Sequence, residues 1–420
     1  MREPRAGRHV DVDTALSAIP EGARVLLAPI SGTPLQLLEA IDASRERWNR
    51  LELVGGFLLQ PIAPLNHAGH PFHFSTWQFS GAYQPAADAG ALQIIPGRYS
   101  QAATMFTPLG GAPVDVVLAA VSPPSPDGRL SLGVSVGSII DTVRSAPLVI
   151  GQINRQVPYT YGAGELPQTA FDYLVDIEGP LPELHRAKPT DVEQDIAARV
   201  VDLVPHGATL QFGLGSVPEA IIGRLHEHRE LGIHSGMVSD GIIELTESGA
   251  LTNSRKTLDV GFSVTAEIVG TRRLYDWVDH NPTLRMAPGR YSHGVPVLAR
   301  AHRLVAINSA IQVTLDGTVN SESVRGRQIS GPGGQPDFAE AVFDATDGAG
   351  IIAIPSTAAR GSVSRIVTTL DTGAVATLAR SLADRFVTEY GVADLRGLTL
   401  DQRADAMRQI AHPDFRQALR

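Results

Sequence analysis

Cysteine is absent from the 420-residue chain. Without thiols the protein has no disulfide framework, no thiolate nucleophile and no metal site built on cysteine ligands. A chain of this size without disulfides is typical of a reducing compartment, so we expect a cytoplasmic protein.

Long apolar runs and an excess of positive charge are missing as well. Stretches such as LVGGFLLQPIAPL are broken by glycine and proline well short of a membrane span. The basic first residues, MREPRAGRHVDVD, are not followed by the apolar segment of a signal peptide. The net charge of −9 argues against a nucleic-acid-binding surface. We therefore expect a globular protein that has neither a membrane nor a nucleic acid as its partner.

The chain contains an internal duplication. Similar segments recur at spacings of 185, 192 and 189 residues, as shown by the pairs Pro20 and Pro205, Arg98 and Arg290, and Asp127 and Asp316. Three collinear matches at nearly one spacing predict two homologous halves. We place the boundary in the proline- and charge-rich segment EGPLPELHRAKPT, which gives domains of residues 1–185 and 186–420.

Each half alternates strand-like and helix-like segments. Short β-branched runs such as ARVLLA and DVVLAAV predict buried strands. Capping boxes at Thr190–Glu193, Ser216–Glu219 and Thr399–Gln402 predict helix starts. The expected fold is therefore α/β, with two homologous open α/β domains and mainly parallel sheets. A twofold pseudo-repeat of this kind tends to place its binding site between the halves.

The segment QFGLGSVPEAIIGRL predicts a strand, a glycine turn and a helix. Backbone amides after Gly213 and Gly215 would point towards a helix N-terminus, which suits an anion. The segment is not a dinucleotide fingerprint, because the third glycine and the downstream acid are absent. On this pattern alone, a plain strand-to-helix turn remains the alternative.

Two further segments are ambiguous in the same way. SGPGGQPDF has glycines at Gly331, Gly333 and Gly334, which favour either a tight corner or a nest of N–H groups for an oxyanion or phosphate. Asn308 and Ser309 follow an apolar run. They either cap the end of a strand or lie at the sheet edge where α/β proteins bind ligands.

The segment LGIHSGMVSDG resembles an active-site loop, with His234, two serines and Asp240 between glycines. These residues are too close in sequence for a Ser-His-Asp triad, and the G-x-S-x-G nucleophile elbow is absent. The three histidines of NHAGHPFH lack a nearby carboxylate that would complete a metal site, so a surface loop is favoured and no metal is expected.

Taken together, motifs along nearly the whole chain resemble the acetyl-CoA hydrolase/transferase family of class I CoA-transferases. They include QFGLGSVPEAI, LGIHSGMVSDGIIELTESGALTN, AINSAIQVTLDGTVNSES, ISGPGGQPDF, IIAIPSTAARGSVSRI and FVTEYGVADLRG. The 4-hydroxybutyrate and butyrate–acetate CoA-transferases are the most similar branches. The resemblance implies two similar open α/β domains with an acyl-CoA site between them. It also implies coenzyme A or acyl-CoA as substrate and no permanently bound cofactor.

The resemblance also assigns binding residues. The positions that match the family's CoA contacts are Gly213, Leu214, Gly215, Ser216, Val217, Ile311 and Gly334. Gly331 and Gly333 belong to the same glycine-rich loop as Gly334 and join the expected CoA site. Both ambiguous glycine segments are therefore expected to bind ligand.

The resemblance fails at one position. Family transferases carry His-Thr-Glu-Met where this chain has His234-Ser235-Gly236-Met237. In the family that glutamate attacks the acyl-CoA thioester, forms an acyl-glutamyl anhydride and then a glutamyl-CoA thioester. Glycine can form neither intermediate. The segment is therefore expected to be an active-site loop that keeps His234 but lacks its usual nucleophile.

Glu267 is the candidate replacement. It lies in a predicted buried strand, Ser263–Val269, where family transferases usually have an apolar residue. A buried carboxylate is costly unless it is paired or faces a polar cleft. It either pairs with Arg272 or Arg273, or it is a relocated catalytic carboxylate whose raised pKa suits a general base. Glu267 and His234 are thus the candidate catalytic residues.

Three functions remain open on these grounds. In the first, the protein transfers CoA between an acyl-CoA and a carboxylic acid such as acetate. Alternatively, it hydrolyses acyl-CoA, at the thioester or at a β-keto C–C bond, or it binds acyl-CoA without catalysis. The composition and the resemblance also predict a homodimer or homotetramer.

Overall fold

The computed structural model describes residues 5–185 and 188–419, and the chain forms two compact units. Unit 1 comprises Met1–Leu184 and Val264–Ser292, and unit 2 comprises His185–Ser263 and His293–Arg420. Arg186, where the second expected domain begins, lies outside the described residues. Nothing in the sequence indicated that Val264–Ser292, which lies within the second expected domain, groups with the first unit.

Unit 1 is built on a parallel sheet. Its strands are β1 (Arg8–His9), β2 (Arg24–Leu27), β3 (Leu51–Gly55), β4 (Phe72–Thr76), β5 (Leu92–Ile94), β6 (Val116–Val121), β7 (Arg129–Ser131), β8 (Leu148–Ile153), β9 (Glu165–Pro167) and β10 (Tyr173–Asp176). The eight main strands are all parallel, in the order β1-β10-β8-β6-β2-β3-β4-β5, and β7 pairs with β9 in a separate two-stranded antiparallel sheet.

Helices lie between these strands: α1 (Val12–Ser17), α2 (Leu35–Ala43), α3 (Gln84–Asp88), α4 (Tyr99–Met105) and α5 (Ile140–Ser145). Every residue of β6 is buried, as expected for a β-branched run in the middle of a parallel sheet. One core cluster packs the buried side of α2, including Leu37 and Ile41, against Trp48, Phe72 and Tyr83.

Unit 2 has a sheet of the same design. The elements before the Val264–Ser292 segment are α6 (Asp191–Val201), β11 (Thr209–Phe212), α7 (Ser216–Ile222), β12 (Gly232–Val238) and α8 (Gly241–Glu247). The segment Val264–Ser292 belongs to unit 1. Its elements are β13 (Ser263–Ile268), α9 (Arg272–Val278), β14 (Leu284–Met286) and α10 (Gly289–Ser292).

The rest of unit 2 follows, as α11 (Val295–Leu298), β15 (Leu304–Asn308), β16 (Gln312–Thr314), β17 (Val319–Asn320), β18 (Ser323–Val324), β19 (Arg327–Gln328), α12 (Gln335–Asp344), β20 (Ala349–Ala353), β21 (Thr357–Ala358), β22 (Val363–Ser364), β23 (Ile366–Val367), β24 (Arg385–Thr388), β25 (Gly391–Asp394) and α13 (Leu400–Ile410). The strands of the unit 2 sheet run in the order β12-β11-β15-β20-β24-β25, and only the last pair is antiparallel.

The two sheets confirm the internal duplication. The order β3-β2-β6-β8-β10 in unit 1 corresponds to β12-β11-β15-β20-β24 in unit 2, with the strands in the same sequence along the chain. The predicted fold of two homologous α/β domains with mainly parallel sheets is therefore confirmed. No helix among the described residues is long and apolar enough to cross a membrane.

Two of the three predicted capping boxes are present. Thr190 caps α6 with Glu193, and Thr399 caps α13 with Gln402. The box at Ser216 is wrong, because Gly215 is the N-cap of α7 and Ser216 is already helical. Gly215 has φ +125°, a backbone conformation that side-chain-bearing residues avoid, so the glycine sets where the helix begins.

Candidate active site

The loops after β11 and β15 meet at the carboxyl edge of the unit 2 sheet. Gln211 and Asn308 exchange two amide hydrogen bonds, of 3.0 and 3.3 Å, across these neighbouring strands. Ser309 then accepts a 3.1 Å hydrogen bond from the side chain of Gln335, the first residue of α12. These bonds tie three sequence segments into one edge, which is where parallel α/β sheets bind ligands.

The two glycine segments that were expected to bind CoA lie on either side of this arrangement. Gly213 follows β11, and its nearest neighbour in the direction of a β-carbon is the side-chain oxygen of Asn308, at 3.8 Å. Gly334 is the N-cap of α12, directly before Gln335. Gly333 has φ +53°, in the left-handed region. The structure thus brings both segments to one edge of one sheet within unit 2.

The side chain of Ser216 has a protein partner. Its hydroxyl donates a hydrogen bond to Glu193 in the first turn of α6. Partial burial works against the charged carboxylate, but hydrogen bonds from Ser216 and Thr190 outweigh it and hold the pKa of Glu193 below its usual value. A negative charge therefore lies beside the glycine turn, so an anion here would have to bind the backbone rather than this hydroxyl.

A partly buried arginine supports the segment around Ile311, and sequence reasoning missed it. The guanidinium of Arg365 donates to the carbonyl of Ala310 at 3.0 Å. Burial lowers the pKa of Arg365, and the negative charges of Glu193 and Glu389 oppose this shift. Arg365 lies within the motif IIAIPSTAARGSVSRI, but no local feature of that motif indicates that its side chain supports the Ile311 segment.

The expected active-site loop is in fact largely a strand. His234 to Met237 lie in β12, which is buried along nearly all its length. Successive side chains of a strand point to opposite faces, so His234 and Gly236 share one face, while Ser235 and Met237 share the other. Ser235 and Met237 line a cavity of about 20 Å³, which has room for little more than a water molecule.

On the face of β12 that carries Gly236, the imidazole of His293 fills the space beside the glycine. A β-carbon at position 236 would lie 2.7 Å from Cε1 of His293 and closer still to Nε2. A β-carbon at Gly334 would lie 2.5 Å from the same Nε2 and closer still to Cδ2. The ring also packs edge-on against Phe338, with 5.2 Å between centroids. The imidazole is therefore held between two glycines.

Burial strongly affects the protonation of this histidine. His293 is 2% exposed and His234 is fully buried. Burial lowers the pKa of His293 to about 3, and the proximity of His234 adds to the shift. His293 is therefore neutral at physiological pH. His293 follows Arg290 in the repeated segment APGRYSH, but it was not among the residues expected to be catalytic.

Glu267 lies in β13 of unit 1 and has no exposed surface. The hydroxyl of Tyr99 donates to its Oε1. Burial raises the pKa of Glu267 to about 8, while hydrogen-bonding groups of Ser135, Tyr99 and Ser138 oppose the rise. Burial also raises the pKa of Tyr99, and the carboxylate adds to that shift. Glu267 is therefore mostly protonated at neutral pH.

The backbone fixes Glu267 in this position. It forms an antiparallel bridge with Ser135, and the carbonyl of Ala266 accepts hydrogen bonds from the next two amides of that segment. Arg272, one of the two expected ion-pair partners, instead pairs with Asp276 at 2.7 Å. The carboxyl group of Glu267 therefore lies among hydroxyl groups and is not paired with Arg272.

Within residues 5–185 and 188–419, no three histidine, aspartate or glutamate side chains are grouped so as to hold an ion. Of the three histidines in NHAGHPFH, the first, His67, contacts Asp42 at 2.7 Å.

Comparison with known proteins places these features in a family. The models of the acetyl-CoA hydrolase/transferase N-terminal and C-terminal domains match residues 9–180 and 270–420. The 4-hydroxybutyrate coenzyme A transferase of Clostridium kluyveri is 39% identical over 412 residues, covering 98% of this chain and 96% of that protein. The butyryl-CoA:acetate CoA-transferase of Anaerostipes caccae is 31% identical over 398 residues, covering 92% and 89%.

The fold comparison agrees. RipA from Yersinia pestis superposes with a TM-score of 0.93 at 30% identity, covering 98% of this chain and 96% of that one. The family resemblance expected from the sequence is thus confirmed, and the protein is an enzyme of acyl-CoA chemistry. The chain belongs to the acetyl-CoA hydrolase/transferase family.

Proposed function

We propose that the protein transfers CoA between an acyl-CoA and a carboxylic acid such as acetate. The observation that carries this proposal is similarity along the whole chain to a 4-hydroxybutyrate coenzyme A transferase. The proposed function requires no permanently bound cofactor. A cytoplasmic homodimer or homotetramer belongs to the same proposal.

We propose that the phosphate-bearing part of CoA binds at Gly213–Val217 and Gly331–Gly334, with Ile311 as a further contact. The open space at Gly213 and the conformation of Gly215 let a ligand approach the backbone closely. The amides at the start of α12 add the positive end of a ten-residue helix.

Transfer in this family requires a carboxylate, which Gly236 does not provide, and we propose that Glu267 provides it. The raised pKa means that the group is mostly protonated at pH 7 and becomes a base or nucleophile only as the pH approaches 8. Turnover that depends on ionised Glu267 should therefore rise between pH 6 and 8. His234, the other candidate catalytic residue, lies on the same strand face as Gly236.

Hydrolysis is the second candidate, and one observation favours it. The space beside Gly236 is filled by a neutral imidazole instead of a carboxylate. An imidazole cannot form the acyl-glutamyl anhydride through which family transferases exchange CoA. Water would then be the acceptor of the acyl group.

The test uses the intact protein with butyryl-CoA, with and without acetate. Free thiol and newly formed acetyl-CoA are measured over time. Acetyl-CoA that forms only with acetate supports transfer, whereas thiol release without acetate supports hydrolysis. If neither product forms from butyryl-CoA, 4-hydroxybutyryl-CoA or acetyl-CoA, both proposals are contradicted. A Gly215→Asp variant, built to lose CoA binding, gives the background rate.

A further inference from the structure

His293 lies where the first atoms of a side chain at position 236 would be. Both nearby glycines leave room for its ring, since a β-carbon on either Gly236 or Gly334 would overlap it. A β-carbon within 3 Å of a ring atom cannot be accommodated unless something moves. The glycine at 236 therefore does more than omit a carboxylate, because it makes room for another functional group.

The surroundings of this ring are those of a reacting centre. It contacts Gly334, the last residue of the proposed CoA loop, and the strand position from which family transferases attack the thioester. His234 adds a second imidazole from the same face of β12.

We propose that His293 is a catalytic residue that donates a hydrogen bond from its neutral imidazole to the carbonyl oxygen of the acyl-CoA thioester. This role rests on the proposed function and applies whether water or a carboxylate attacks. The attack places negative charge on that oxygen, and a donor already fixed in place stabilises it.

The lowered pKa supports donation over the alternatives. A histidine whose pKa is about 3 is a weak base and a weak nucleophile at pH 7, but it still carries one N–H. An imidazole kept neutral by its surroundings is a known way to polarise a carbonyl. Its position between two glycines also fixes the ring, so little reorganisation is needed during the reaction.

The test compares two replacements of similar length. His293→Gln keeps an N–H near the position of Nε2, and His293→Met removes it. We expect the Met variant to lose about 100- to 1,000-fold in kcat, the usual effect of deleting one such donor. The Gln variant should stay within about tenfold of wild type, and both should bind CoA as the wild type does.

Several controls separate this role from packing. Thermal unfolding and CoA titration show whether the variants fold and bind. If the Met variant does not fold, Gly236→Ala replaces it: its β-carbon should displace the ring without changing the ring's chemistry, and it should also lower kcat. Gly81→Ala, at a position with open space around it, controls for the added methyl group.

Three outcomes would contradict the inference. A folded, CoA-binding Met variant that retains wild-type kcat shows that the imidazole is not needed. A Gln variant as impaired as the Met variant shows that the N–H is not what matters. A wild-type protein with neither transfer nor hydrolysis overturns the proposed function, and the role of His293 with it, whereas the first two outcomes leave the proposed function intact.

Discussion

Replacing Glu267 with glutamine tests the buried carboxyl group most directly. The side chain is fully buried, and its pKa is raised to about 8, mainly by burial. Glutamine has nearly the same shape and can still accept the hydrogen bond from Tyr99, but it cannot ionise. The substitution therefore removes the titration while keeping the packing.

The linkage between this pKa and stability has a definite sign. Below about pH 4.5 the group is protonated in both the folded and the unfolded chain, so its titration costs nothing. Between pH 4.5 and about 8 the unfolded chain loses the proton while the folded one keeps it. Wild-type stability therefore falls by about 1.4 kcal/mol per pH unit from this group alone, and levels off above about pH 8. The full loss is about 5 kcal/mol, and Glu267→Gln should abolish it.

Differential scanning calorimetry of both proteins at pH 5 and pH 8.5 measures this effect. The pH 5 comparison corrects for any packing or hydrogen-bond change that the amide itself introduces. At pH 8.5 the Gln variant should melt roughly 10 °C above wild type, relative to their difference at pH 5. Equal differences at both pH values would refute the argument, because the carboxyl group would then not be held protonated by burial.

The same variant separates structure from catalysis. If Glu267 is the carboxylate of the reaction, turnover should be lost while CoA affinity remains nearly unchanged. Wild-type turnover in the Gln variant would end the proposed catalytic role and leave the stability argument untouched.

Four further predictions follow from particular residues. Gly215→Asp should remove measurable CoA binding in calorimetry, because a side chain at φ +125° strains the backbone and the added negative charge repels the ligand. The matched variant Gly81→Asp, at an exposed glycine, should bind CoA as the wild type does. Gly236→Ala should lower the free energy of unfolding by about 1–3 kcal/mol by overlapping His293, and Gly81→Ala by much less, as measured by urea denaturation. Thr190→Ala should cost about 1 kcal/mol in the same assay, through loss of the α6 cap. Light scattering at micromolar concentration should give a dimer or tetramer mass, and about 45 kDa, the mass of one chain, would contradict the predicted assembly.

The fold was largely predictable because its signals are local. The buried strands, the capping boxes at Thr190 and Thr399 and the duplication all depend on patterns within a few residues or on direct repetition. The predicted strand Ser263–Val269 is observed as Ser263–Ile268, with every residue buried. The features that the sequence did not predict depend on long-range contacts. The membership of Val264–Ser292 in unit 1 is decided by segments more than 100 residues away, such as the one containing Ser135.

In the candidate site, too, the features set by local sequence were predictable and those set by distant contacts were not. Its glycine segments were visible because glycine is needed for the local backbone, as φ +125° at Gly215 shows. The partners of Glu267 were not visible in the sequence, because Tyr99 and Ser135 are distant from it along the chain and a hydroxyl donor has no sequence signature. The sequence pointed to Arg272 because it is the nearest opposite charge, but an arginine four residues from Asp276 on one helix has a closer partner.

His293 had a signal in the sequence, and the duplication contains it. The repeated motif reads IPGRYSQ at residues 95–101 and APGRYSH at residues 287–293, so His293 corresponds to Gln101. Gln101 has a structural task, since its side chain accepts the hydrogen bond of the Arg98 amide at the start of α4. In the second copy the same position carries a buried imidazole that packs against Gly236. Duplicated halves keep the residues that their shared fold requires, and a difference at a matched position points to what only one half does. Comparing the two copies position by position would therefore have selected His293, even though Gly236 lies more than 50 residues before it.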